Sequence, residues 1–408
     1  MSDFNFYLNK NVKKAGQGAD VSVLNNEVAK KVGDFHKSFK EYQVTPLVDL
    51  KNLAADFGVA KVWVKDESYR FGLNAFKVLG GAFAIGQYLA QKLGCDISEL
   101  SREKLASPEI KAKLGQITFA STTDGNHGRG VAWTAQQLGQ KAIIYMPKGS
   151  AQIRVDNILA TGAECYVTDM NYDDTVRMTD AKAKENGWVV VQDTAWEGYT
   201  EIPTWIMQGY MTLAVEALEQ IKALGDDRPT HMFLQAGVGS YAGAALGFIA
   251  AALGDKCPVT TIVEPRKADC IYKSAVAADG KPHNVTGEMN TLMAGLACGE
   301  PSTISWGILR DYATAYVSMH DFYAANGMRV LAAPLRGDAP VVSGESGAAT
   351  MGALQHIAQN PNALDLKKAL KLGPDSKVLI ISTEGDTAPE IYRDIVWYGK
   401  FADGSPEM

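Results

Sequence analysis

The feature that most constrains the fold is a regular alternation of β-rich runs and helical stretches in the middle of the chain. The β-rich runs start 24, 23 and 24 residues apart, at Ile117, Lys141, Glu164 and Trp188. The helical stretches that lie between them span 130–138, 151–160 and 173–185. Parallel strands need a crossover of a dozen or more residues, usually a helix, and this spacing supplies it three times. This part of the chain is therefore predicted to form a parallel α/β unit.

A second alternation of the same kind occupies the rest of the chain. Its predicted strands span 61–65, 232–235, 259–263 and 377–382. Its predicted helices span 74–92, 203–224 and 348–358, with another beginning at Tyr241. The two blocks predict an α/β fold with two open, mostly parallel sheets flanked by helices and a cleft between them. Because such folds bind ligands beyond the carboxyl ends of their strands, residues at those ends are the site candidates.

Charge and hydropathy exclude two classes of partner. The chain has 40 Lys and Arg against 46 Asp and Glu, a formal charge of −6, and no basic run, which argues against a nucleic-acid partner. The longest nearly apolar stretch, Tyr241 to Gly254, is 14 residues long. A membrane-spanning helix needs about 20, so this stretch is predicted to be a buried helix. The first residues lack the apolar core of a signal peptide, so we expect a cytoplasmic protein.

The cysteines and histidines give no pattern typical of a metal site. The five cysteines are odd in number and widely spaced, which favours reduced thiols and leaves only a Cys270 to Cys298 bridge as an open alternative. The six histidines are scattered, and no HExxH motif is present. We therefore expect no metal site, and we interpret His127 as structural.

Lys77 lies near the start of a predicted helix, in the run N-A-F-K-V-L-G-G. At helical spacing it shares an otherwise uncharged face with Leu73, Gly80, Gly81 and Ala84. One interpretation is that the stem is packed and the ammonium reaches water. The other is an amine that loses its charge by desolvation, as in lysines that form Schiff bases. The position of Lys77 alone does not decide between them.

Two aspartates follow neighbouring strands of the first predicted sheet. Asp193 comes after the strand at 188–192, and Asp124 lies in S-T-T-D-G-N-H-G, after the strand at 117–120. Either one alone is as readily explained as a helix cap or an Asx-turn. Together, beside hydroxyls and glycines at the same sheet edge, they favour a site.

A glycine-rich loop, Q-A-G-V-G-S-Y-A-G, joins the strand at 232–235 to the next helix. Its amides, together with the start of the helix, form a pattern that binds phosphate. The loop also fits the dinucleotide fingerprint, with Glu264 as the ribose ligand, so a nicotinamide-dependent oxidoreductase is an alternative. A close-packed turn without a ligand is a third interpretation. Ser382 and Thr383, at the end of the last strand, either bind a ring nitrogen or cap the following turn.

These motifs occur in the order found in the fold-type II pyridoxal-phosphate enzymes, the superfamily of tryptophan synthase β and threonine dehydratase, which the chain resembles. Within that superfamily, four strings resemble the diaminopropionate ammonia-lyases: R-F-G-L-N-A-F-K, T-T-D-G-N-H-G-R-G, Q-D-T-A-W-E-G-Y and S-G-E-S-G-A. The usual superfamily pattern has Ser at the position of Ala75 and a small residue at that of Asp124. Both departures match the narrower family rather than an ordinary hydroxy-amino-acid dehydratase.

The resemblance implies a large domain that binds pyridoxal 5'-phosphate, residues 1–89 and 195–408, and a small domain, residues 90–194, with the cofactor in the cleft between them. It also implies the cofactor-binding residues: Lys77, bonded covalently, Asn126 at the phenolic oxygen, Gly237, Val238, Gly239 and Ser240 at the phosphate, and Ser382, or less favoured Thr383, at the pyridine nitrogen. The implied catalytic and substrate-binding residues are Lys77, Thr122, Thr123, Asp124 and Asp193.

The implied reaction is the α,β-elimination of D- and L-2,3-diaminopropionate to pyruvate and two ammonia, a step of amino-acid degradation. Lys77 would take the α-proton of the L substrate, Asp124 that of the D substrate, and Asp193 would hold the leaving ammonium. The alternatives are a serine/threonine dehydratase of the same fold, the oxidoreductase, and an amino-acid sensor without turnover. The resemblance also implies a homodimer.

Overall fold

A computed structural model describes residues 3–402 of the 408-residue chain. Within that range the chain forms eleven strands and sixteen α-helices. The strands, β1 to β11 in chain order, are Phe4–Leu8, Leu47–Asp49, Lys61–Asp66, Thr118–Thr122, Lys141–Met146, Glu164–Val167, Val189–Val190, His231–Gln235, Val259–Pro265, Ala315–Met319 and Lys377–Ser382. The helices, α1 to α16, are Asn26–Lys37, Lys51–Phe57, Val78–Leu93, Arg102–Leu105, Pro108–Leu114, Asn126–Gln137, Gln152–Leu159, Tyr172–Asn186, Glu201–Ala223, Ser240–Leu253, Cys270–Ala277, Thr303–Tyr312, Asp321–Ala332, Ala349–Gln359, Leu364–Ala369 and Pro389–Val396.

The strands form two sheets. The larger has the spatial order β1, β10, β9, β8, β11, β3, β2, and the smaller has the order β6, β5, β4, β7. All pairs in the smaller sheet are parallel, and in the larger sheet only the two edge pairs are antiparallel. The predicted fold class, two open and mostly parallel sheets flanked by helices, is confirmed.

The larger sheet is buried on both faces. Alternate side chains of the interior strand β11 enter different hydrophobic clusters, with Leu379 and Ile381 on one side and Val378 and Ile380 on the other. The first cluster includes apolar residues of α3, α9 and α10, and the second includes those of α13 and α14. This is the burial expected of parallel strands with helices on both faces. Polar groups therefore collect at the strand ends.

The structure corrects the predicted start of the helix that follows Lys77. Helix α3 begins at Val78, and Lys77 precedes it as the N-cap residue. The backbone before Lys77 cannot be helical, because Phe71, Gly72 and Asn74 have φ of +50°, +68° and +59°. Leu73 therefore lies outside the helix, and the predicted helical face shared by Leu73 and Lys77 is wrong.

We propose to retain the division into residues 1–89 with 195–408 and residues 90–194. It is supported by the sheets, since all four strands of the smaller sheet lie between residues 118 and 190. The boundary at residue 89 falls within α3, which packs against α9 on one side and α6 on the other. Helix α3 would thus belong to both parts.

Over residues 3–402, none of the helices has the length and apolar character needed to cross a membrane.

The five cysteines are free thiols. Cys270 and Cys298, whose pairing the sequence leaves open, are both buried and do not form a disulfide, and Cys95, Cys165 and Cys257 are free as well.

Candidate active site

Two adjoining cavities lie where the carboxyl ends of strands from both sheets meet. The larger has about 580 Å³ of empty space and the smaller about 350 Å³, and both volumes include space that is open to solvent. The residues that line both are Lys77, Tyr172, Asp193, Gly295 and Cys298. The larger cavity contains the glycine loop, and the smaller contains the loop of Asp124. The arrangement has room for a cofactor on one side of Lys77 and a substrate on the other.

Contacts with the loop after β11 hold Lys77 at the junction of the cavities. The amide of Phe76 donates to the carbonyl oxygen of Thr383 over 3.0 Å, and the amide of Gly385 donates to that of Asn74 over the same distance. A side chain at Gly385 would collide with Asn74, since a Cβ there would lie 2.2 Å from its Oδ1. The segment before Lys77 is thus fixed by close backbone packing against residues 383–385, of which Thr383 and Glu384 line the larger cavity.

Lys77 and Asp193 form a buried ion pair, with Nζ 2.6 Å from Oδ2. Burial alone would raise the pKa of Asp193, but the Lys77 ammonium lowers it to about 2. Burial opposes the charge on Lys77, but Asp193 outweighs it and raises the lysine pKa above its ordinary value. The Lys77 side chain is 19% exposed. The ammonium is thus held by Asp193 rather than by open water, and the interpretation of Lys77 as a lysine that forms a Schiff base stays a prediction.

Asp193 is surrounded by further polar groups. The Tyr172 hydroxyl donates to Oδ1 over 3.4 Å, and His127 Nδ1 lies 3.9 Å from Oδ2. Burial lowers the pKa of His127 below its usual value, and its Nε2 contacts the carbonyl oxygen of Val191 at 2.8 Å. A neutral His127 that donates through Nε2 has Nδ1 free to accept a hydrogen bond. Ser240 Oγ donates to the main-chain oxygen of Asp193 over 2.6 Å, which joins this loop to the glycine loop.

Asp124 lies in the smaller cavity, two residues beyond β4, and the neighbouring strand β7 leads to Asp193. Its Oδ2 lies 3.3 Å from Nη1 of Arg154 on α7. Thr122 and Thr123 line the same cavity. Their hydroxyls have partners, since that of Thr122 bonds to Thr179 and that of Thr123 accepts from the Gly125 amide, each at 2.8 Å.

The glycine loop has the donors and the space for a phosphate. Within residues 3–402, the six consecutive amides from Gly237 to Ala242 have no hydrogen-bond acceptor. Gly239 has φ of +93°, and α10 begins directly after it. A Cβ at Gly237 would lie 3.3 Å from Cys298 Sγ, so glycine keeps this side of the cavity open. Unpaired amides at a helix start favour an anion, and pyridoxal phosphate fits this donor set.

The remaining proposed cofactor ligands differ in their surroundings. Thr383 lines the larger cavity, and its hydroxyl accepts from Gln235 Nε2 at 2.8 Å. The fully buried Ser382 hydroxyl instead donates to that of Ser343 over 2.7 Å. Asn126 lines the larger cavity, where its Nδ2 donates to Glu384. The structure thus brings Thr383 and Asn126 to the cavity and turns Ser382 toward Ser343.

The cavity walls contain residues that the sequence did not single out. Buried Tyr210 and Tyr241 line the larger cavity, and within the described chain their hydroxyls have no hydrogen-bond partner. Glu384 lines the larger cavity as well, directly after Thr383, in a motif whose hydroxyls alone indicated a site. Position after a strand could have indicated Glu384. The two tyrosines lie within helices and carry no such signal.

Glu264 does not face the glycine loop's cavity as a ribose ligand would. It is fully buried, and its oxygens accept from the amides of Ile271 and Tyr272 at 2.9 and 2.6 Å. Glu264 thus accepts from two amides at the start of α11 that have no acceptor within the helix itself. The feature that favoured a nicotinamide-dependent oxidoreductase is therefore a helix-capping contact.

The chain is similar to known proteins over nearly its whole length. Residues 39–384 match the family model described as pyridoxal-phosphate dependent enzyme. Diaminopropionate ammonia-lyase of Salmonella typhimurium is 54% identical over 398 residues, which are 97% of this chain and 98% of that protein. Two crystal structures of diaminopropionate ammonia lyase from Escherichia coli contain an aminoacrylate-PLP azomethine reaction intermediate and D-serine; their TM-scores are 0.89 and 0.90. In both, 52% of residues are identical and 98% of each chain is covered.

Proposed function

The chain belongs to the pyridoxal-phosphate dependent enzymes and, within them, to the diaminopropionate ammonia-lyases, and from this premise we propose how its residues divide the work. The protein is a carbon–nitrogen lyase that uses pyridoxal 5'-phosphate for the α,β-elimination of 2,3-diaminopropionate. The observation that carries the assignment of roles is the Lys77–Asp193 ion pair, which lies in one cavity with six unpaired loop amides.

The residues that would hold the cofactor surround the larger cavity. The Lys77 amine would bond to it covalently, and the amides of Gly237, Val238, Gly239 and Ser240 would bind its phosphate. Asn126 would contact the phenolic oxygen. For the pyridine nitrogen we now favour Thr383 over Ser382, because Thr383 lines the cavity and Ser382 bonds to Ser343. When bound, pyridoxal phosphate withdraws electrons from the α-carbon of the amino acid.

Two groups of this chain are suited to take the α-proton. The Lys77 amine would accept it from the L enantiomer, and the Asp124 carboxylate from the D enantiomer. Each borders the smaller cavity and each comes from a different sheet's loops. One base on each face of the α-carbon would allow both mirror forms to react.

Asp193 would hold the β-amino group in its protonated form, in which it leaves readily. The structure supports this role because the Asp193 carboxylate already accepts from an ammonium, that of Lys77, and is buried and ionised. A serine or threonine substrate has no cation at that position. We therefore expect the hydroxy-amino-acid dehydratase alternative to describe at most a weak side activity.

Thr122 and Thr123 would bind the substrate carboxylate through the loop after β4. Both line the smaller cavity, which supports this placement. The Thr123 hydroxyl accepts from the Gly125 amide and keeps its own hydrogen to donate to the carboxylate, whereas the Thr122 hydroxyl is bonded to that of Thr179 at 2.8 Å.

An assay of pyruvate formation from D- and L-2,3-diaminopropionate, run beside D- and L-serine, tests the proposal. We expect both diaminopropionate enantiomers to react and both serines to react more slowly. The same assay is run on Asp124→Asn and Asp193→Asn. These two variants are comparable with each other because each removes one carboxylate charge without changing the size of the side chain. Faster turnover of serine than of diaminopropionate would overturn the assigned substrate.

The assembly and the compartment are also proposals. We propose a homodimer, on the resemblance alone, and a cytoplasmic location, which the five free thiols support because thiols stay reduced there. Light scattering of the purified protein at several concentrations tests the first. A mass near that of one 43.9 kDa chain at every concentration would contradict it.

A further inference from the structure

Arg154 lies between two carboxylates that come from different parts of the fold. On α7, beside the smaller sheet, it places Nη1 3.3 Å from Asp124 Oδ2 and Nη2 3.8 Å from Glu345 Oε2. Asp124 follows β4 of the smaller sheet, whereas Glu345 precedes α14, which packs on the larger sheet. Arg154 thus connects the two sides of the cleft at the edge of the substrate cavity.

The Arg154 side chain is held in this position by close packing. It is only 6% exposed, and its stem lies against the backbone of Gly125, the residue next to Asp124. A Cβ at Gly125 would lie 2.9 Å from Arg154 Cδ and 3.2 Å from Cγ. Gly125 has φ of +150°, a conformation that also favours glycine. The loop of Asp124 is therefore shaped around the arginine.

The two candidate carboxylates of the site have different counterions. Asp193 pairs with Lys77 at 2.6 Å, whereas in the described part of the chain Arg154 is the one Lys or Arg within 4.0 Å of Asp124. A guanidinium has fixed planar geometry and stays charged, so it orients a carboxylate and favours its ionised form. Lys77 cannot replace it, because its amine is already bound to Asp193.

Resting on the proposed function, we propose that Arg154 is the positioning residue for Asp124 and thereby determines turnover of the D enantiomer. It holds the Asp124 carboxylate in the substrate cavity, where the carboxylate can accept the α-proton on that face. It has no such relation to Lys77, which serves the L enantiomer. Loss of Arg154 therefore changes the ratio of D to L activity.

Glu345 shares the charge of Arg154. It is buried, and burial raises its pKa to about 7, although Arg154 opposes the shift and Glu384 adds to it. The charged groups that face it are Arg154 on α7, Asp124 after β4 and Glu384 after β11. When Glu345 is ionised, Arg154 is divided between two carboxylates; when Glu345 is neutral, Arg154 serves Asp124 alone.

The test compares Arg154→Gln, Arg154→Lys and the control Arg177→Gln, whose side chain is 58% exposed and pairs with Glu300 and Asp174. In the holoenzyme, kcat/KM for D-diaminopropionate should fall about tenfold or more in Arg154→Gln, because a misplaced base loses most of its effect. The L enantiomer should lose less than about threefold, Arg154→Lys should recover part of the D activity, and the control should change neither.

Equal losses for D and L in a loaded, folded Arg154→Gln variant would overturn the proposal. No pyruvate from either enantiomer in the unmodified enzyme would instead overturn the proposed function. If Arg154→Gln does not fold, Glu345→Gln provides the second test of the proposal. This variant removes the carboxylate that competes with Asp124 for Arg154 and keeps the cation. At pH 8, where Glu345 of the wild type is ionised, Glu345→Gln should then raise kcat/KM for the D enantiomer relative to the L enantiomer, and at pH 5, where Glu345 is neutral, the D-to-L ratio should match that of the wild type. A D-to-L ratio at pH 8 that is the same in Glu345→Gln and in the wild type would contradict the role of Arg154.

Discussion

Lys77 Nζ lies 2.6 Å from Asp193 Oδ2 in a buried site at the junction of the two cavities. A buried pair of this kind loses far more when one partner is removed than it contributes as a pair, because the other charge is left without compensation. The pair therefore links the reactive amine to a carboxylate that must stay ionised. It also shows that Asp193 accepts from an ammonium in this protein.

Replacing Lys77 with alanine should abolish turnover of both enantiomers and prevent covalent attachment of the cofactor. The reason is that the same amine attaches the cofactor and serves as a base. Hydride reduction of the loaded protein followed by peptide mass mapping should locate the cofactor on Lys77 in the wild type. An unmodified Lys77 in fully loaded wild-type protein would overturn the proposed role.

Asp124→Asn should lower D turnover by about 10²–10⁴-fold, the usual contribution of a general base, and leave L turnover mostly intact. The amide cannot accept the α-proton, whereas Lys77 is unchanged. Steady-state rates with each pure enantiomer provide the measurement. Equal losses on both enantiomers would contradict the assignment of one base to each face.

Asp193→Asn should reduce turnover of diaminopropionate more than turnover of serine. The neutral amide no longer holds the β-ammonium, and serine has no charge there to lose. The quantity to measure is the ratio of the two kcat/KM values in the variant and the wild type. If that ratio is the same in both, Asp193 does not bind the leaving group.

Gly239→Ala should weaken cofactor binding and lower the free energy of unfolding by about 1–3 kcal/mol. The new Cβ would lie 2.9 Å from Leu309 Cδ1, at a φ of +93° that alanine disfavours. The control is Gly254→Ala at the other end of α10, where φ is +56° but no atom lies within 4 Å. Both variants should lose stability from backbone strain, and only Gly239→Ala should raise the Kd of pyridoxal phosphate. Unchanged cofactor affinity in Gly239→Ala would argue against the phosphate site.

Glu345→Gln should gain stability relative to the wild type as pH rises. Burial raises the pKa of Glu345 from 4.5 to about 7, so the folded state binds a proton that the unfolded state releases. The wild type therefore has this contribution in full below about pH 4.5 and loses it as pH rises through 7, in total about 3 kcal/mol. Thermal melts of both holoenzymes at pH 5 and pH 8 should show a Tm difference that grows by a few degrees in favour of the variant. A constant difference would show that Glu345 is ionised at both pH values.

The central elements of the fold were predictable, because their signals are local. Strand β5 begins at Lys141, as predicted, and the bounds of α7 and α8 lie within one residue of the predicted 151–160 and 173–185. The edge strands β1 and β2 and the strand β10 were missed. Strands β1 and β2 are short and pair antiparallel at the sheet edges, so neither the helical crossover nor a long apolar run indicates them.

For the site, the sequence by itself determined the fold class, the family and the residues of the loops after β4, β7 and β8, since each lies in a contiguous motif at a strand end. It could not determine which charges compensate each other. The pairs Lys77–Asp193 and Asp124–Arg154 join segments that are 116 and 30 residues apart in the sequence. Only the tertiary structure decides such pairs, because the interaction of two buried charges depends on their separation and on the water that packing removes, and neither quantity is encoded locally.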